Sequence, residues 1–351
     1  MHSLKTPSRR VSQGLSRRTV LTGGLAGGLA AGSGLLSRAR AAAPRVLKIS
    51  HQFPAYTDFR DRLARKFAAD VEKETNGALK FEIYPGASLF KPYQQFDAMA
   101  DGALDMSVYP LAYSGGKLPE TNLTLMPALI ESYQQAYGWE DAPIGKWLVG
   151  YLQDHGVELV TRIWQGGGGA SRDKAIQLPS DLKGLKTRGA AKMVDLMFEA
   201  AGGSISTFPS TETYNALRSG VVDVVWTSSA SLMSFRLQEV AKYVTTARKY
   251  TFWYMFEPML MSKATYDKLT PEQQKIVMEV GHSLEKYALE ACKADDQKVA
   301  EVFGEAGDQV SDMSAQQFAA WKSLAERSAW KNFADNVKDG KHLLDMANAV
   351  K

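Results

Sequence analysis

The sequence predicts an α/β fold built from two domains. Strand and helix patterns alternate along the chain, which is typical of α/β proteins. About 308 residues follow position 43, enough for two domains that each have a core. A helical pattern of roughly 30 residues begins at Pro271, and at 1.5 Å per residue it would extend ~45 Å and reach across both domains.

The spacing of apolar residues predicts the individual elements in order. Strands are predicted where apolar and polar residues alternate or where a short apolar run lies between turn residues, at 46–50, 79–84, 104–109, 158–164, 185–188, 221–226 and 251–261. Helices are predicted where apolar residues recur every three or four positions, at 57–73, 92–100, 133–154, 192–201, 210–219 and 271–303. Thr270, Pro271 and Gln273 give the last of these a capping box. Residues 113–130 contain two glycines and two prolines and are predicted to form a loop.

Four consecutive glycines, Gly166 to Gly169, interrupt this pattern. Glycine has the largest conformational freedom and no side chain to pack, so a run of four is disfavoured inside a helix or strand. The run predicts either a flexible crossover between the domains or an ordinary surface loop.

The first 43 residues predict an export signal. They hold seven basic residues and no acidic ones, with the pair Arg17-Arg18 before a short Gly/Ala/Leu stretch and Ala41-Ala42-Ala43 before Pro44. This order is typical of a twin-arginine signal peptide and predicts a periplasmic protein. The apolar stretch is too short to span a bilayer, and no later segment is apolar enough to do so.

Charge and composition exclude several function classes. The whole chain has 42 Lys and Arg residues against 38 Asp and Glu residues, but seven of the basic ones lie in the first 43 residues. The remainder has 35 basic and 38 acidic residues, so the net positive charge of the whole chain is no sign of nucleic-acid binding. The single Cys292 cannot form an internal disulfide. The histidines lack metal-ligand spacing, and no haem, nucleotide or catalytic-triad motif is present. We therefore expect no metal, no cofactor and no enzyme activity.

Four sequence blocks resemble those of one family. They are ETNGALKFEIYPG at 74–86, DGALDM at 101–106, LKGLKTR at 182–188 and TYNALRSGVVD at 213–223. In this order they are similar to the signature segments of TRAP-transporter solute-binding proteins, the DctP-like family. The resemblance implies a periplasmic binding protein-like fold, with two α/β domains joined by crossing hinge strands and a long spanning helix. It also implies an organic-anion ligand and a TRAP membrane permease as partner.

The resemblance also implies the ligand-binding residues. Arg188 occupies the position whose arginine binds the ligand carboxylate in the family, and a guanidinium suits this role because it can donate two parallel hydrogen bonds. Neighbouring segments supply hydroxyl groups and rings as further candidates, namely Ser210, Thr227, Ser228, Phe208, Trp226, Trp164 and Tyr254. Some relatives carry another basic residue about twenty positions earlier, where this chain has glycines. We therefore expect a monocarboxylate with apolar or aromatic bulk.

The predicted organisation places the signal at 1–43, domain I at 44–165 plus 257–294, and domain II at 166–256 plus 295–351. A sensing subunit of a signalling receptor and a binding protein of an ABC importer are alternative functions with the same fold.

Overall fold

The computed structural model describes residues 43–351. The signal predicted for residues 1–43 lies, but for its last residue, outside this range. Within the range the chain forms strands β1 (Arg45–Ser50), β2 (Leu79–Tyr84), β3 (Met106–Val108), β4 (Val157–Thr161), β5 (Trp164–Ser171), β6 (Lys186–Gly189), β7 (Ser204–Thr207), β8 (Val224–Ser228), β9 (Tyr243–Thr246), β10 (Tyr254–Phe256), β11 (Met259–Ser262) and β12 (Gln309–Asp312). Its α-helices are α1 (Phe59–Glu74), α2 (Gln95–Ala100), α3 (Tyr133–Gly138), α4 (Pro143–Asp154), α5 (Lys192–Ala200), α6 (Thr213–Ser219), α7 (Ser229–Ser234), α8 (Lys263–Tyr266), α9 (Pro271–Ser283), α10 (Glu285–Glu305), α11 (Ala315–Ala325), α12 (Lys331–Asn336) and α13 (Gly340–Asn348).

Five strands form a first sheet in the order β2-β1-β3-β11-β4, in which β1 runs parallel to both neighbours. Helix α1 packs on this sheet, and the apolar side chains predicted for its inner face, Phe59, Leu63, Phe67 and Val71, are all buried. This sheet and the helices packed on it are called the first domain below.

The second sheet has the order β12-β9-β5-β8-β6-β7, and β10 pairs with the first three residues of β5. Strand β6 runs parallel to β7 and to β8, so the carboxyl ends of these three strands meet at one edge. Crevices at such edges are the usual binding sites of open α/β sheets. This sheet and its helices are called the second domain.

Two chain passages connect the sheets side by side. Strand β4 of the first sheet continues through residues 162–163 into β5, and β10 continues through residues 257–258 into β11. Strands β5 and β10 pair antiparallel between Trp164 and Phe256, so the connections form a two-stranded ribbon. The expected fold, two α/β domains joined by crossing strands, is confirmed.

The single helix predicted over 271–303 is instead two helices that meet at Leu284. The Leu284 amide donates to the carbonyl of Gly281, three residues back, and this tight turn ends α9. Gly281 itself lies against β4, where an added Cβ would be 2.3 Å from the carbonyl oxygen of Val160. Helix α10 contacts α1 as well as β9 and β12, and is therefore the helix that spans both domains.

The four glycines lie inside β5, at the centre of the second sheet, and the prediction of a crossover or surface loop for them is wrong. All four are buried, and Gly167 to Gly169 pair with β8. An added Cβ would be 2.7 Å from the indole nitrogen of Trp253 at Gly167 and 2.6 Å from the Trp226 ring at Gly169. Tertiary packing of large rings on a strand without side chains therefore overrides the local preference of glycine.

The last helices return to the first domain. Helix α11 packs against α5, and a π-helical turn at Glu326–Trp330 follows it. Helix α13 then contacts α4, and its buried residues join the core that contains Leu148 and Leu152. This differs from the expected placement of all of 295–351 in the second domain. The exact limits of the two domains stay a prediction.

Candidate ligand-binding site

Arg188 lies near the carboxyl end of β6, and only 1% of its surface is exposed. Its Nε donates to the carbonyl oxygen of Phe208 at 2.9 Å, and its Nη1 donates to the carbonyl oxygen of Trp226. Its Nη2 donates to the Tyr113 hydroxyl at 3.1 Å and lies 3.5 Å from the Ser210 hydroxyl. The guanidinium is thus fixed by carbonyl and hydroxyl oxygens, all of them neutral.

The two domains meet around this guanidinium. Tyr113 follows β3 in the first domain, and its hydroxyl also lies 3.2 Å from Ser210 Oγ, which in turn is 3.4 Å from Thr227 Oγ1. Gln52, which follows β1, directs its side-chain nitrogen at the same Tyr113 hydroxyl, 3.5 Å away. We call Gln52, Tyr113, Arg188, Ser210 and Thr227 the Arg188 cluster. It joins loops after β1 and β3 to the carboxyl ends of β6, β7 and β8.

A second buried arginine shows what is unusual about Arg188. Arg60 of α1 is also fully buried, but it donates to Asp58 at 2.6 and 2.8 Å and to Glu257 at 2.5 Å. Among residues 43–351, no carboxylate oxygen lies within 4.0 Å of a guanidinium nitrogen of Arg188. A buried charge is stable only when it is compensated. Arg188 therefore offers a site for an anion, and Arg60 does not.

The Arg60 group also connects the domains. Its two Nη atoms donate to Ser228 at 3.2 Å and Ser231 at 2.9 Å, both in the second domain. Burial would raise the pKa of Asp58, but the adjacent Arg60 charge and its hydrogen bonds outweigh burial and lower that pKa. Ser228, predicted to bind the ligand, thus has its hydroxyl at this ionic group, and the same hydroxyl caps α7 by accepting from the Ser231 amide.

The other residues predicted to bind the ligand differ in whether their side chains reach the Arg188 cluster. Phe208 places its ring centre 5.9 Å from the Arg188 guanidinium carbon, so its ring as well as its carbonyl adjoins the cluster. The indole of Trp226 packs in the core against Phe198 and Phe252, and only its carbonyl reaches Arg188. The ligand roles of all these residues stay predictions.

Two further predicted rings also pack away from the cluster. Trp164 packs against Trp139 and Phe256 in the first core. Tyr254 lies edge-on to Tyr133, 4.7 Å between ring centres, at the ribbon. These contacts account for both rings as packing between elements.

Sequence reasoning missed Tyr113 and Gln52. Gln52 lies in the connection after β1 and Tyr113 in the short 3₁₀ helix Leu111–Ser114, and neither segment shows a periodic pattern of apolar residues. The available signal was their position, because each follows the carboxyl end of a strand of the first sheet, where parallel strands direct their loops into a common crevice.

A cavity of about 420 Å³ opens beside the cluster. It is bounded by Tyr93, Tyr113, Gly115, Gly116 and Asn122 of the first domain and by residues 190–192, Asp195, Leu196, Glu199 and Thr207 of the second, and it shares Tyr113 with the Arg188 cluster. We call it the Asn122 cavity.

One group of side chains has metal-ligand geometry, namely Glu140, His282 and Glu285. The Nη1 of Arg162 lies 3.0 Å from Glu140 and 3.1 Å from Glu285, so an arginine already compensates both carboxylates. We do not assign a metal to this group.

Comparison with known proteins identifies the family. The family model described as bacterial extracellular solute-binding protein, family 7 (DctP), matches residues 49–336. A solute-binding protein of Albidiferax ferrireducens is 48% identical over 92% of this chain and 96% of its own length. The C4-dicarboxylate-binding periplasmic protein DctP of Rhodobacter capsulatus is 26% identical over 81% of this chain and 85% of its own length.

A solved structure is similar over the same region. The crystal structure of a TRAP periplasmic solute-binding protein from Rhodoferax ferrireducens with bound malonate has a TM-score of 0.85 and 48% identity, and covers 87% of this chain and 98% of that one. Within residues 43–351, no helix combines the length and the apolar character needed to cross a membrane. The chain therefore belongs to the DctP family of bacterial extracellular solute-binding proteins, as its four sequence blocks indicate, and is a TRAP-type solute receptor and not an enzyme.

Proposed function

We propose that this protein captures a small organic acid in the periplasm, with one carboxylate bound to Arg188, and delivers it to the membrane permease of a TRAP transporter. The observation that carries the proposal is the buried Arg188 guanidinium, which has no carboxylate partner among the described residues. A twin-arginine route to the periplasm is part of the proposal and is supported by the sequence of the first 43 residues.

A carboxylate would replace neutral acceptors at this guanidinium with a charged one. Hydrogen bonds to charged groups contribute about 1.5–3 kcal/mol, roughly twice the value of neutral ones. Because Arg188 is held by two backbone carbonyls, its orientation is set before the ligand arrives. The ligand therefore meets a preorganised donor and loses less free energy to ordering.

The cluster also explains how binding would close the two domains. Ser210 and Thr227 contact the ligand region from the second domain, and Tyr113 and Gln52 reach it from the first. A ligand that touches both sets binds the closed state more tightly than the open one. That difference in affinity shifts the population toward closure, which is the state a permease would recognise.

One anionic anchor favours a monoanionic ligand over a dicarboxylate. The part of β5 where a second basic residue would lie is the run Gly166 to Gly169, and the other buried arginine, Arg60, is already compensated. The expected apolar or aromatic bulk of the ligand depended on the Trp164 and Trp226 rings. Both rings pack in cores, so they offer no apolar wall to a ligand. A similar protein holds malonate, so dicarboxylates belong in any test.

The test is a thermal-shift titration of the purified protein with acetate, lactate, pyruvate, malonate and succinate. A ligand at 100 times its Kd adds about 2.7 kcal/mol, which raises the Tm by roughly 5 °C. We expect the shift to vanish in Arg188→Met. The Tm of the unliganded variant is measured alongside, because loss of the buried cation favours folding whereas loss of its hydrogen bonds to the Phe208 and Trp226 carbonyls disfavours it. Lys186→Ala, two residues earlier in β6 and half-exposed, is the matched control and should keep the shift.

Two outcomes would contradict the proposal. An Arg188→Met protein that keeps the full shift would show that the carboxylate binds elsewhere. A protein stabilised by neutral sugars or amines and by none of the acids would show that the ligand is not an organic anion.

A further inference from the structure

A group of buried charges around Arg60 lies where the first domain meets the ribbon that connects the domains. Arg60 of α1 and the preceding Asp58 belong to the first domain, and Glu257 lies in the connection from β10 to β11. The guanidinium carbon of Arg60 also lies 3.6 Å from the ring centre of Phe53, a buried residue of the first domain. The side chains of the three charged residues are at most 2% exposed. The first domain and the ribbon therefore hold these charges in place.

The second domain meets this group with serine hydroxyls at helix α7. Arg60 donates to Ser228 Oγ at 3.2 Å and to Ser231 Oγ at 2.9 Å. Ser234 Oγ donates to Asp58 Oδ2 at 2.7 Å. The serines recur every third residue, so they share one side of α7. We call these three hydrogen bonds the α7 contacts, and each joins residues that are at least 168 positions apart in sequence.

The distribution of charge makes the α7 contacts reversible. Arg60 is compensated within its own side of the interface, because its two Nη atoms lie 2.6 Å from Asp58 and 2.5 Å from Glu257. Movement of α7 away from the group removes neutral hydroxyls, whose places water can take. An ion pair between the domains would instead leave an uncompensated charge on each side, which is far more costly. The domains can therefore separate at α7 without separating opposite charges.

The end of strand β8 connects the α7 contacts to the Arg188 cluster. The carbonyl oxygen of Trp226 accepts from Arg188, Thr227 belongs to the cluster, and Ser228 accepts from Arg60. Because Trp226, Thr227 and Ser228 are consecutive, the position of β8 relative to the first domain determines both sets of contacts. An arrangement of the domains that assembles the Arg188 cluster therefore also brings α7 to Arg60.

We propose that the α7 contacts are a latch that stabilises the closed arrangement of the two domains and thereby raises the affinity for the ligand. The hydroxyls of Ser231 and Ser234 act through Arg60 and Asp58 and not through the ligand. The proposal rests on the proposed function, in which a ligand binds between the domains, and it adds a determinant of affinity outside the Arg188 cluster. The observed affinity is that of the binding-competent state multiplied by the fraction of molecules in that state. A hydrogen bond that forms on closure raises this fraction.

The test compares Ser231→Ala, Ser234→Ala and the double variant with the wild type by isothermal titration calorimetry. The probes are acetate, lactate, pyruvate, malonate and succinate. We expect each single variant to bind about 3- to 10-fold more weakly and the double variant about 10- to 100-fold more weakly, because each lost hydrogen bond has a charged partner. Ser219→Ala is the matched control, since Ser219 ends α6 in the second domain and its hydroxyl donates to the Asn215 carbonyl oxygen of the same helix at 2.8 Å. It should leave the Kd unchanged.

Two readouts separate a latch from a direct contact with the ligand and from a purely structural role. Loss of the latch should weaken every acid that binds by the same factor, because closure is common to all of them, whereas a direct contact would affect acids of different length differently. Small-angle X-ray scattering should show that the acid concentration needed for half of the compaction rises by this factor too. All three charged residues remain in every variant. If Ser231→Ala folds poorly, the half-buried Ser234 tests the latch alone.

The outcomes separate the two proposals. If the wild type binds an acid and the serine variants bind it with the same Kd, the latch is refuted while the proposed function stands. A lower Tm of these variants at unchanged Kd would likewise refute the latch, because the serines would then stabilise the fold alone. A loss of affinity that differs from acid to acid would show that the serines contact the ligand, which also refutes the latch. If no acid of any kind binds the wild type, both proposals are refuted.

Discussion

Replacing Gly168 by alanine tests the packing of the glycine strand. Gly168 lies in β5 between β8 and β9, where its backbone pairs with Thr227 on one side and adjoins Thr245 on the other. An added Cβ would lie 2.0 Å from the Thr245 carbonyl oxygen and 3.1 Å from its carbonyl carbon. An ordinary contact of this kind is no closer than about 3.4 Å, so backbone must move by more than 1 Å.

The expected loss of stability is large because the added methyl group would overlap backbone atoms of Thr245, and not a side chain that could rotate away. Added methyl groups in well-packed cores typically cost 1–3 kcal/mol. Since Thr245 is held in a sheet on both sides and cannot rotate away, we expect about 3 kcal/mol for Gly168→Ala. For a protein of this size each kcal/mol lowers the Tm by at least about 2 °C, so the Tm should fall by roughly 6 °C or more.

Thermal unfolding followed by circular dichroism, together with urea titration, measures the change. Gly304→Ala is the matched control, because Gly304 lies in α10 and an added Cβ there meets nothing within 4 Å. Alanine should raise stability at this helical position by about 0.5–1 kcal/mol. A Gly168→Ala protein that melts within about 1 °C of the wild type would refute the close packing of β5.

Three further substitutions have predictable effects on stability, on ligand affinity or on the pH dependence of stability. Arg60→Met leaves two carboxylates buried without their cation and should lower the free energy of unfolding by about 3–5 kcal/mol in a urea titration; an unchanged midpoint would contradict the buried ionic group. Tyr113→Phe removes one neutral acceptor from Arg188 and a contact between the domains, so calorimetry should show an approximately 3- to 10-fold weaker affinity for the best acid. The lost hydrogen bonds should lower the Tm of the free protein by a few degrees at most; equal affinity would exclude that hydroxyl from the site. Burial raises the pKa of Asp296 to about 6 despite its hydrogen bonds, so the folded state binds the proton more tightly than the unfolded state does. The free energy of unfolding should therefore fall as pH rises from about 4 to 6, by up to about 3 kcal/mol from this group. Asp296→Asn should flatten this part of the plot of stability against pH. An unchanged plot in the variant would contradict the raised pKa.

Elements determined by local sequence were predicted well. The inner face of α1 and the cap of α9 at Thr270 are confirmed, because helical spacing and capping side chains act within a few residues. The break at Leu284 was missed because it accompanies the close approach of Gly281 to β4, a contact between residues far apart in sequence. The glycine strand was missed for the same reason.

The candidate site shows a similar division. Arg188 was singled out only through the family resemblance, since an arginine at a strand end is otherwise unremarkable. The run from Val221 to Trp226 is apolar on both faces, so the sequence could not tell that the Trp226 ring points into the core. Tyr113 and Asn122 lie in the short 3₁₀ helices Leu111–Ser114 and Pro119–Leu125, where a loop was predicted, and only the fold shows that they line a cavity together with residues of the second domain.

The path of the chain between the domains determines how their motion can be observed. The chain passes to the second domain into β5, back into β11, across again along α10, and back once more before α13, where Gln135 Nε2 donates to the Val350 carbonyl oxygen. Four passages return it to its starting side, so Pro44 and Lys351 both belong to the first domain. A tether at either of these residues therefore immobilises one domain and leaves the other free. A pair of fluorophores near Pro44 and Lys351 would show no change on closure, whereas one near Lys351 and one on α6 would report it.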